Sequence, residues 1–487
     1  MKLSSTKSLV ILATLAGVIG ISWYVIIPQI KIRSVGHLIE KIQNIPGFEG
    51  SVVVVDAKYE GAEKDALQIN TGTPIHPGSN YKLLTGAASL HYLTPDFTFK
   101  TNFYTLTQNG KQHLLIEGRG DPTFHHEDIQ AIAATLREKD IKITGNLYYD
   151  EEYFNGESYG PDWESEWKDI HFGVPVAALQ MDDSILYIRG KGSAVKNNLM
   201  IATAALELYP LIKDIRTLVT TPPPHKISAK MGEDGVVTIE GETAGNNDFS
   251  TSTNMRNPGQ MTAEVFRQEL IKNKIISKKS KVLNFAREKE NLKNIKRKLV
   301  HNHTSAPLQE IVKQMLTFSK NNYGETLIRT LGEEKNKSSG KTGSQAKGVE
   351  ILEKFLTNEV KIAPEDFKGL DGSGMSPSSR ITGRGIMQLF EYVNRQSWKD
   401  IYWEALPGSN QEGTLRHRFL ETNIQHPIIA KTGTHEFASS LSGKITREND
   451  AILFSVHVFQ HQIPSEQVGI QVQHIIDKIV KLLDERL

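Results

Sequence analysis

Cysteine is absent from all 487 residues, which removes disulfide bonds, thiolate metal sites and Cys nucleophiles. Oxygen, amine and imidazole groups are left to carry any chemistry. An excess of charge is also lacking: 57 Lys and Arg stand against 56 Asp and Glu, a formal net charge of +1, so nothing in the composition argues for a nucleic-acid partner. The 16 histidines include the pairs His125-His126 and His301/His303, but no His-Glu-x-x-His and no spacing for a third ligand accompanies them. Walker and dinucleotide phosphate loops are missing as well. Neither a metal nor another cofactor is expected.

Long apolar runs are scarce, and the one that stands out opens the chain. Lys2 and Lys7 precede an uncharged stretch from Leu9 to Ile27. It approaches the ~20 residues needed to cross a bilayer, exceeds the ~7–15 of a cleavable signal, and has no A-x-A-like site after it. Trp23 and Tyr24 lie towards its far end, as interfacial anchors do. Residues 1–35 therefore read as an uncleaved signal anchor in the cytoplasmic membrane, with the rest of the chain periplasmic or otherwise extracytoplasmic. A cleaved secreted form and a buried N-terminal core helix are the alternatives.

The remaining length suits more than one domain, and 38% apolar residues can fill a sizeable core. Val35 to Ile42 reads as helix, and Ser51 to Ala57 is a β-branched run typical of a strand buried on both faces. Ala451 to Phe459 reads as a second strand, and Val468 to Leu487 as an amphipathic helix. Between these ends, about Thr98 to Leu299 changes texture to short strands, Gly turns and the Pro222-Pro223-Pro224 break. The spacing predicts one domain in two parts, 36–97 and 300–487, interrupted by an insertion over 98–299. The basic stretch from Lys278 to Lys298 alternates with acidic and apolar residues and reads as a solvated face.

Three short motifs carry chemistry, and each recurs, so context must select among copies. Ser-x-x-Lys occurs at Ser4, Ser79, Ser165, Ser193, Ser338 and Ser344; Ser-x-Asn at Ser252 and Ser319; Lys-Thr-Gly at Lys341 and Lys431. Ser79 follows the turn-forming Pro77-Gly78 and opens an apolar segment fit for a buried helix. At a helix start, free N–H groups and the dipole stabilise developing negative charge, and i+3 spacing brings Lys82 to the same face. A desolvated, neutral Lys82 can accept the serine proton. The alternative for Ser79 is a plain N-cap. Lys431-Thr432-Gly433-Thr434 follows an apolar run and reads as a strand at a sheet rim, where Lys and Thr can bind a carboxylate and Gly admits a ligand backbone; an ordinary strand end is the alternative. Ser319-Lys320-Asn321 falls at a junction between helices, as a proton relay and amide holder or as a helix cap.

The ordered set Ser79-x-x-Lys82, Ser319-x-Asn321, Lys431-Thr432-Gly433 resembles the penicillin-recognising serine enzymes. Gly118-Arg119-Gly120-Asp121-Pro122-Thr123, Asp371-Gly372-Ser373-Gly374-Met375-Ser376, Leu406-Pro407 and Gly413-Thr414-Leu415-Arg416 look like the class C low-molecular-mass penicillin-binding proteins, the D-alanyl-D-alanine carboxypeptidase/endopeptidase family. The resemblance implies a mixed α/β (α+β) fold, a transpeptidase/β-lactamase-like domain of antiparallel sheet flanked by helices with a large, mainly β insertion between the first two motifs. It implies that Ser79 attacks the carbonyl between two D-alanines, that Lys82 takes the proton, and that Ser319 and Asn321 assist the leaving group. By the same resemblance Lys431 and Thr432 hold the terminal carboxylate, and the N–H groups of Ser79 and Thr434 form an oxyanion hole. Peptidoglycan peptides and β-lactam antibiotics are the implied partners.

Two departures stand out. Lys320 occupies a position where the family usually has Asp or another short polar residue, and Ala177 to Asp182 matches the family's Asn-containing run only loosely. Two other functions are carried forward: a β-lactamase, and a catalytically impaired scaffold that holds peptidoglycan in the same groove.

Overall fold

The computed structural model describes residues 35–487 apart from 45, 64–65, 170–171, 193–198, 202–208, 213, 219–226, 233, 242–247, 293–294, 336–342, 421–423 and 461–464. The apolar run from Leu9 to Ile27, the triple proline at 222–224 and the Lys341-Thr342 pair lie outside the described residues, as do Ser4, Ser193 and Ser338. Among the described residues no helix is long and apolar enough to cross a membrane.

The β-branched run near residue 52 forms the strand Val52–Tyr59. It is the fourth member of a five-stranded antiparallel sheet ordered Ile428–His435, Ala438–Thr446, Ala451–Phe459, Val52–Tyr59, Leu67–Ile69. Successive side chains leave on opposite faces: Val54 joins the core of the helical side, whereas Val53 and Val55 enter a second core. Both faces of this strand are therefore covered, each buried valine contributing roughly 1.5–3 kcal/mol, and the polar Asp56 and Lys58 that follow on the Val54 face are buried with it. The second core is closed by the helix Ser465–Arg486, whose Val472, Ile475, Ile476, Ile479 and Leu483 form the buried stripe.

Across the sheet lie Tyr81–Leu93, Leu308–Phe318, Asn321–Lys335, Gln345–Lys354 and Gly383–Asn394. The helix Tyr81–Leu93 is buried almost all round, from Tyr81 through Leu90, which is why its sequence shows little amphipathic pattern.

The insertion has its own core and carries three sheets. The largest is ordered Val282–Asn284, Leu147–Asp150, Lys111–Glu117, Lys100–Gln108, Arg297–Thr304. Its first and last strands in the chain pair, Lys100 with Thr304, so the chain leaves and re-enters the main domain at neighbouring points, and we place the unit's boundaries there. The helices His126–Glu138 and Pro258–Lys272 supply Ile129, Ile132, Met261 and Phe266 to its interior. In the basic stretch Lys296, Arg297 and Lys298 are exposed, and Lys289 pairs with Glu152 at 2.7 Å.

Candidate active site

Pro77-Gly78 directs the chain into a single 3-10 turn, Gly78–Asn80, that runs into the helix Tyr81–Leu93. Gly78 sits at φ +51, and a Cβ there would lie 2.7 Å from Thr434 N; a Cβ at Gly433 would lie 2.1 Å from Pro77 O. The turn and the edge strand Ile428–His435 therefore meet backbone to backbone, which only glycine at both positions allows. Asn80 fastens them, its Nδ2 donating to Lys431 O at 3.1 Å and to Ser440 Oγ at 2.6 Å. Ser440 in turn donates to Pro77 O at 2.8 Å.

Ser79 is not a helix cap: neither the turn nor the helix has a side-chain cap, and Ser79 Oγ is engaged by Lys82 Nζ at 2.9 Å. Lys82 also donates to Asn321 Oδ1 at 2.6 Å and to Ser373 O at 2.8 Å. A neutral amine has two protons and one lone pair. With the two protons committed to Asn321 and Ser373, the lone pair is left facing the Ser79 hydroxyl. Burial lowers the Lys82 pKa to about 7, opposed by the charges of Asp371 and Glu325, so the neutral form is accessible near neutral pH.

The second motif occupies the helix junction anticipated from sequence. Ser319 ends Leu308–Phe318 in the left-handed conformation, and Asn321 begins Asn321–Lys335. Lys431 Nζ, from the edge strand, donates to Ser319 Oγ at 2.8 Å and to Thr432 O at 2.9 Å. It is completely buried, and desolvation with the nearby Lys82 charge pushes its pKa well down. Thr432 Oγ1 bonds Thr414 Oγ1 at 3.0 Å, drawing in the Gly413-Thr414 segment. Ser79, Ser319, Asn321 and Thr434 border one cleft of about 680 Å³, walled by Trp167, Phe172 and Met375. The three motifs read from sequence thus meet at one place, with Lys82 and Lys431 beneath its floor.

Two of the other copies, those at Ser344 and Ser252, have ordinary structural roles. Ser344 caps Gln345–Lys354, accepting from Lys347 N, and Asn254 donates to Gly173 O.

Sequence reasoning assigned no role to several groups that support the site. Glu325 accepts from Gly372 N and Ser373 N at 3.0 and 2.9 Å. Asp371 accepts from Gly374 N, Ser376 N and the Trp163 indole. Together these carboxylates hold the loop whose Ser373 carbonyl receives Lys82. Asn321, Glu325 and Arg329 recur every four residues on one helix, and a carboxylate and a guanidinium at buried positions of such a stripe signal such a role. His76 accepts from Gly78 N at 3.0 Å and bonds Ser376 O at 2.9 Å. Those partners specify a neutral ring, and burial, with His435 alongside, lowers its pKa to about 3.

Residues 34–482 match the family model described as the D-Ala-D-Ala carboxypeptidase 3 (S13) family. The chain is 25% identical over 458 residues to a D-alanyl-D-alanine carboxypeptidase of Actinomadura sp., covering 88% of this chain and 81% of the relative. Its fold is similar to the crystal structure of penicillin binding protein 4 from Haemophilus influenzae, with TM-score 0.77 and 21% identity over 92% of this chain and 98% of that one. It is also similar to that protein complexed with a novel β-lactam, with TM-score 0.74 and 20% identity over 93% and 98%.

Proposed function

The chain belongs to the D-Ala-D-Ala carboxypeptidase 3 (S13) family, and from that membership we propose that Ser79 is the nucleophile with which it opens D-alanyl-D-alanine bonds in peptidoglycan stem peptides. One observation carries the assignment: a fully buried lysine amine, deprived of solvent and with two fixed acceptors, stands 2.9 Å from Ser79 Oγ.

Lys82 takes the hydroxyl proton as Oγ attacks the carbonyl carbon between the two D-alanines. The N–H groups of Ser79 and Thr434 receive the oxyanion; loss of one such donor typically costs roughly 10²–10³ in rate. The C–N bond then breaks as the proton that Lys82 took passes by way of the Ser319 hydroxyl, which Lys431 supports from below, to the departing amine, and Lys82 is neutral again. The Lys431 amine and the Thr432 hydroxyl are the donors that favour the terminal carboxylate at the strand edge. Water hydrolyses the remaining ester with Lys82 again acting as base. No metal enters this scheme. A β-lactam follows the same path and stalls as the ester. The attacked carbonyl is the same in a free peptide end and in a cross-link, so carboxypeptidase and endopeptidase action both fall within this reading. Action outside the cytoplasm, with residues 1–35 as anchor, completes the proposal.

The full chain incubated with a fluorescent penicillin, with and without Ser79→Ala, is the direct test. A stable adduct mapped to the Ser79 peptide and lost in the variant is expected. A folded chain that takes no label overturns the reading in favour of a peptidoglycan-holding scaffold, and rapid nitrocefin turnover would redirect it to a β-lactamase.

A further inference from the structure

The middle residue of the Ser319-x-Asn321 motif is held by the inserted unit. Lys320 Nζ donates to Asp183 Oδ2 at 2.9 Å, approaches the Tyr323 hydroxyl at 3.4 Å, and lies 4.6 Å from the centre of the Tyr323 ring. The pair is mostly withdrawn from solvent, with side chains 24% and 13% exposed. Asn322 also turns to this residue, donating to Asp183 O at 3.3 Å. Two residues of the motif region thus end on one side chain and backbone from the insertion.

Asp183 is presented by an unusual stretch of backbone. Asp182, Asp183 and Ser184 have φ of 50, 58 and 57°, three successive left-handed residues in a chain without glycine there. Such a run persists only where surrounding contacts over-determine it. The contacts are present on both flanks. The Asp182 carboxylate accepts from His126 N at 3.1 Å, at the start of the helix His126–Glu138, and from the Tyr209 hydroxyl at 3.3 Å. Ser184 O accepts from Met255 N at 2.9 Å. Gln180 reaches Thr326 Oγ1 at 3.3 Å, on the same helix as Asn321.

Lys320 stands between the two motif residues, Ser319 touching Lys431 and Asn321 touching Lys82. Any movement of this short junction changes both contacts together. We infer that Asp183 is a positioning residue for the reaction: by holding Lys320 it sets Ser319 and Asn321 against the two buried lysines, making the insertion part of the acylation machinery. A lysine committed in this way leaves its charge with Asp183, and the departure at the middle of the motif is matched by an acid from a separate unit. The inference rests on Ser79, Ser319 and Asn321 acting together as proposed above.

Stopped-flow acylation of the full chain by a fluorescent penicillin separates the limiting acylation rate from the dissociation constant of the preceding complex. Asp183→Asn and Lys320→Gln are each expected to lower the limiting rate about tenfold, a fraction of the ~10²-fold that a 1 Å misplacement can cost, with the dissociation constant nearly unchanged. The double variant should be no slower than either single one, because the pair acts as a unit. Limiting rates equal to that of the original chain in both single variants, or losses that simply multiply, overturn the inference. Should Asp183→Asn fail to fold, Lys320→Gln reads the same pair without altering the insertion. An original chain that is not acylated at Ser79 overturns the functional reading and this inference together; normal acylation with unaffected variants overturns the inference alone.

Discussion

Glu325 and Arg329 form an ion pair one helical turn apart, 3.4 Å between Oε2 and Nη1, with the two side chains 1% and 2% exposed. Through Gly372 N and Ser373 N the same carboxylate holds the loop that receives Lys82. Removing one partner of such a pair costs about 3–5 kcal/mol, because the other charge is left buried. The two removals are not equivalent. Glu325→Gln strands a guanidinium that cannot lose its proton, whereas Arg329→Met leaves a carboxyl whose pKa burial and Asp371 already push up. An acid with a raised folded pKa holds more protons folded than unfolded, so its contribution to stability falls as pH rises through that window. Relative to the original chain, urea denaturation at about pH 6 and pH 8 should show Arg329→Met losing more at the higher pH and Glu325→Gln, which removes the titrating carboxyl itself, losing less there. Parallel pH responses would refute this division of charge.

Lys82 makes a second pH dependence. Its amine serves as base only when neutral, and desolvation brings its pKa down to about 7 against the pull of Asp371 and Glu325. The neutral fraction increases with pH, so the acylation rate should climb about tenfold per unit below about pH 7 and level off above it. Lys82→Arg, which keeps the charge but cannot release the proton, should lose about 10²–10⁴ in acylation rate. Rates measured between about pH 5 and 9 decide the matter. A flat profile with an active arginine variant would remove Lys82 from the role of base.

Gly433→Ala tests the close seating of the edge strand. Its Cβ would lie 2.1 Å from Pro77 O and 2.2 Å from Ser440 Oγ, and these two atoms are bonded to each other at 2.8 Å. Relief requires the strand to move away from the Ser79 turn. A loss of about 1–3 kcal/mol in thermal or urea unfolding is expected, together with slower penicillin labelling, since Thr434 moves with the strand. A variant that labels at the original rate would show that the turn and strand can separate without consequence.

How far the site was legible can be judged residue by residue. Ser79 and Lys82 were readable because their relationship is local, three positions apart at a helix entrance, and Lys431 because an apolar strand runs directly into it. The strand Ala451–Phe459 was visible as a continuous apolar run, and the helix Ser465–Arg486 as a periodic stripe. The support beneath Lys82 was less accessible: Asp371 and Glu325 meet only when a loop folds over a helix. Asn80 carries no motif of its own, yet it staples the turn to two strands. Lys320 was recognisable as a departure in charge, but its partner Asp183 lies in the insertion, and no local pattern joins the two.

The pairing of Val52 with Phe459 has a consequence for how the chain reaches this state. A strand made early must wait for one made near the end of synthesis, so the main sheet has very non-local contacts and closes slowly. The inserted unit, whose own sheet joins Lys100 to Thr304, has its whole sequence synthesised well before the Ala451–Phe459 strand. Until then the Val52–Tyr59 strand lacks that partner. The insertion bearing Asp183 thus needs no strand of the main sheet for its own pairing, whereas the Ile428–His435 edge that meets the Ser79 turn is joined to Val52–Tyr59 only through Ala438–Thr446 and Ala451–Phe459.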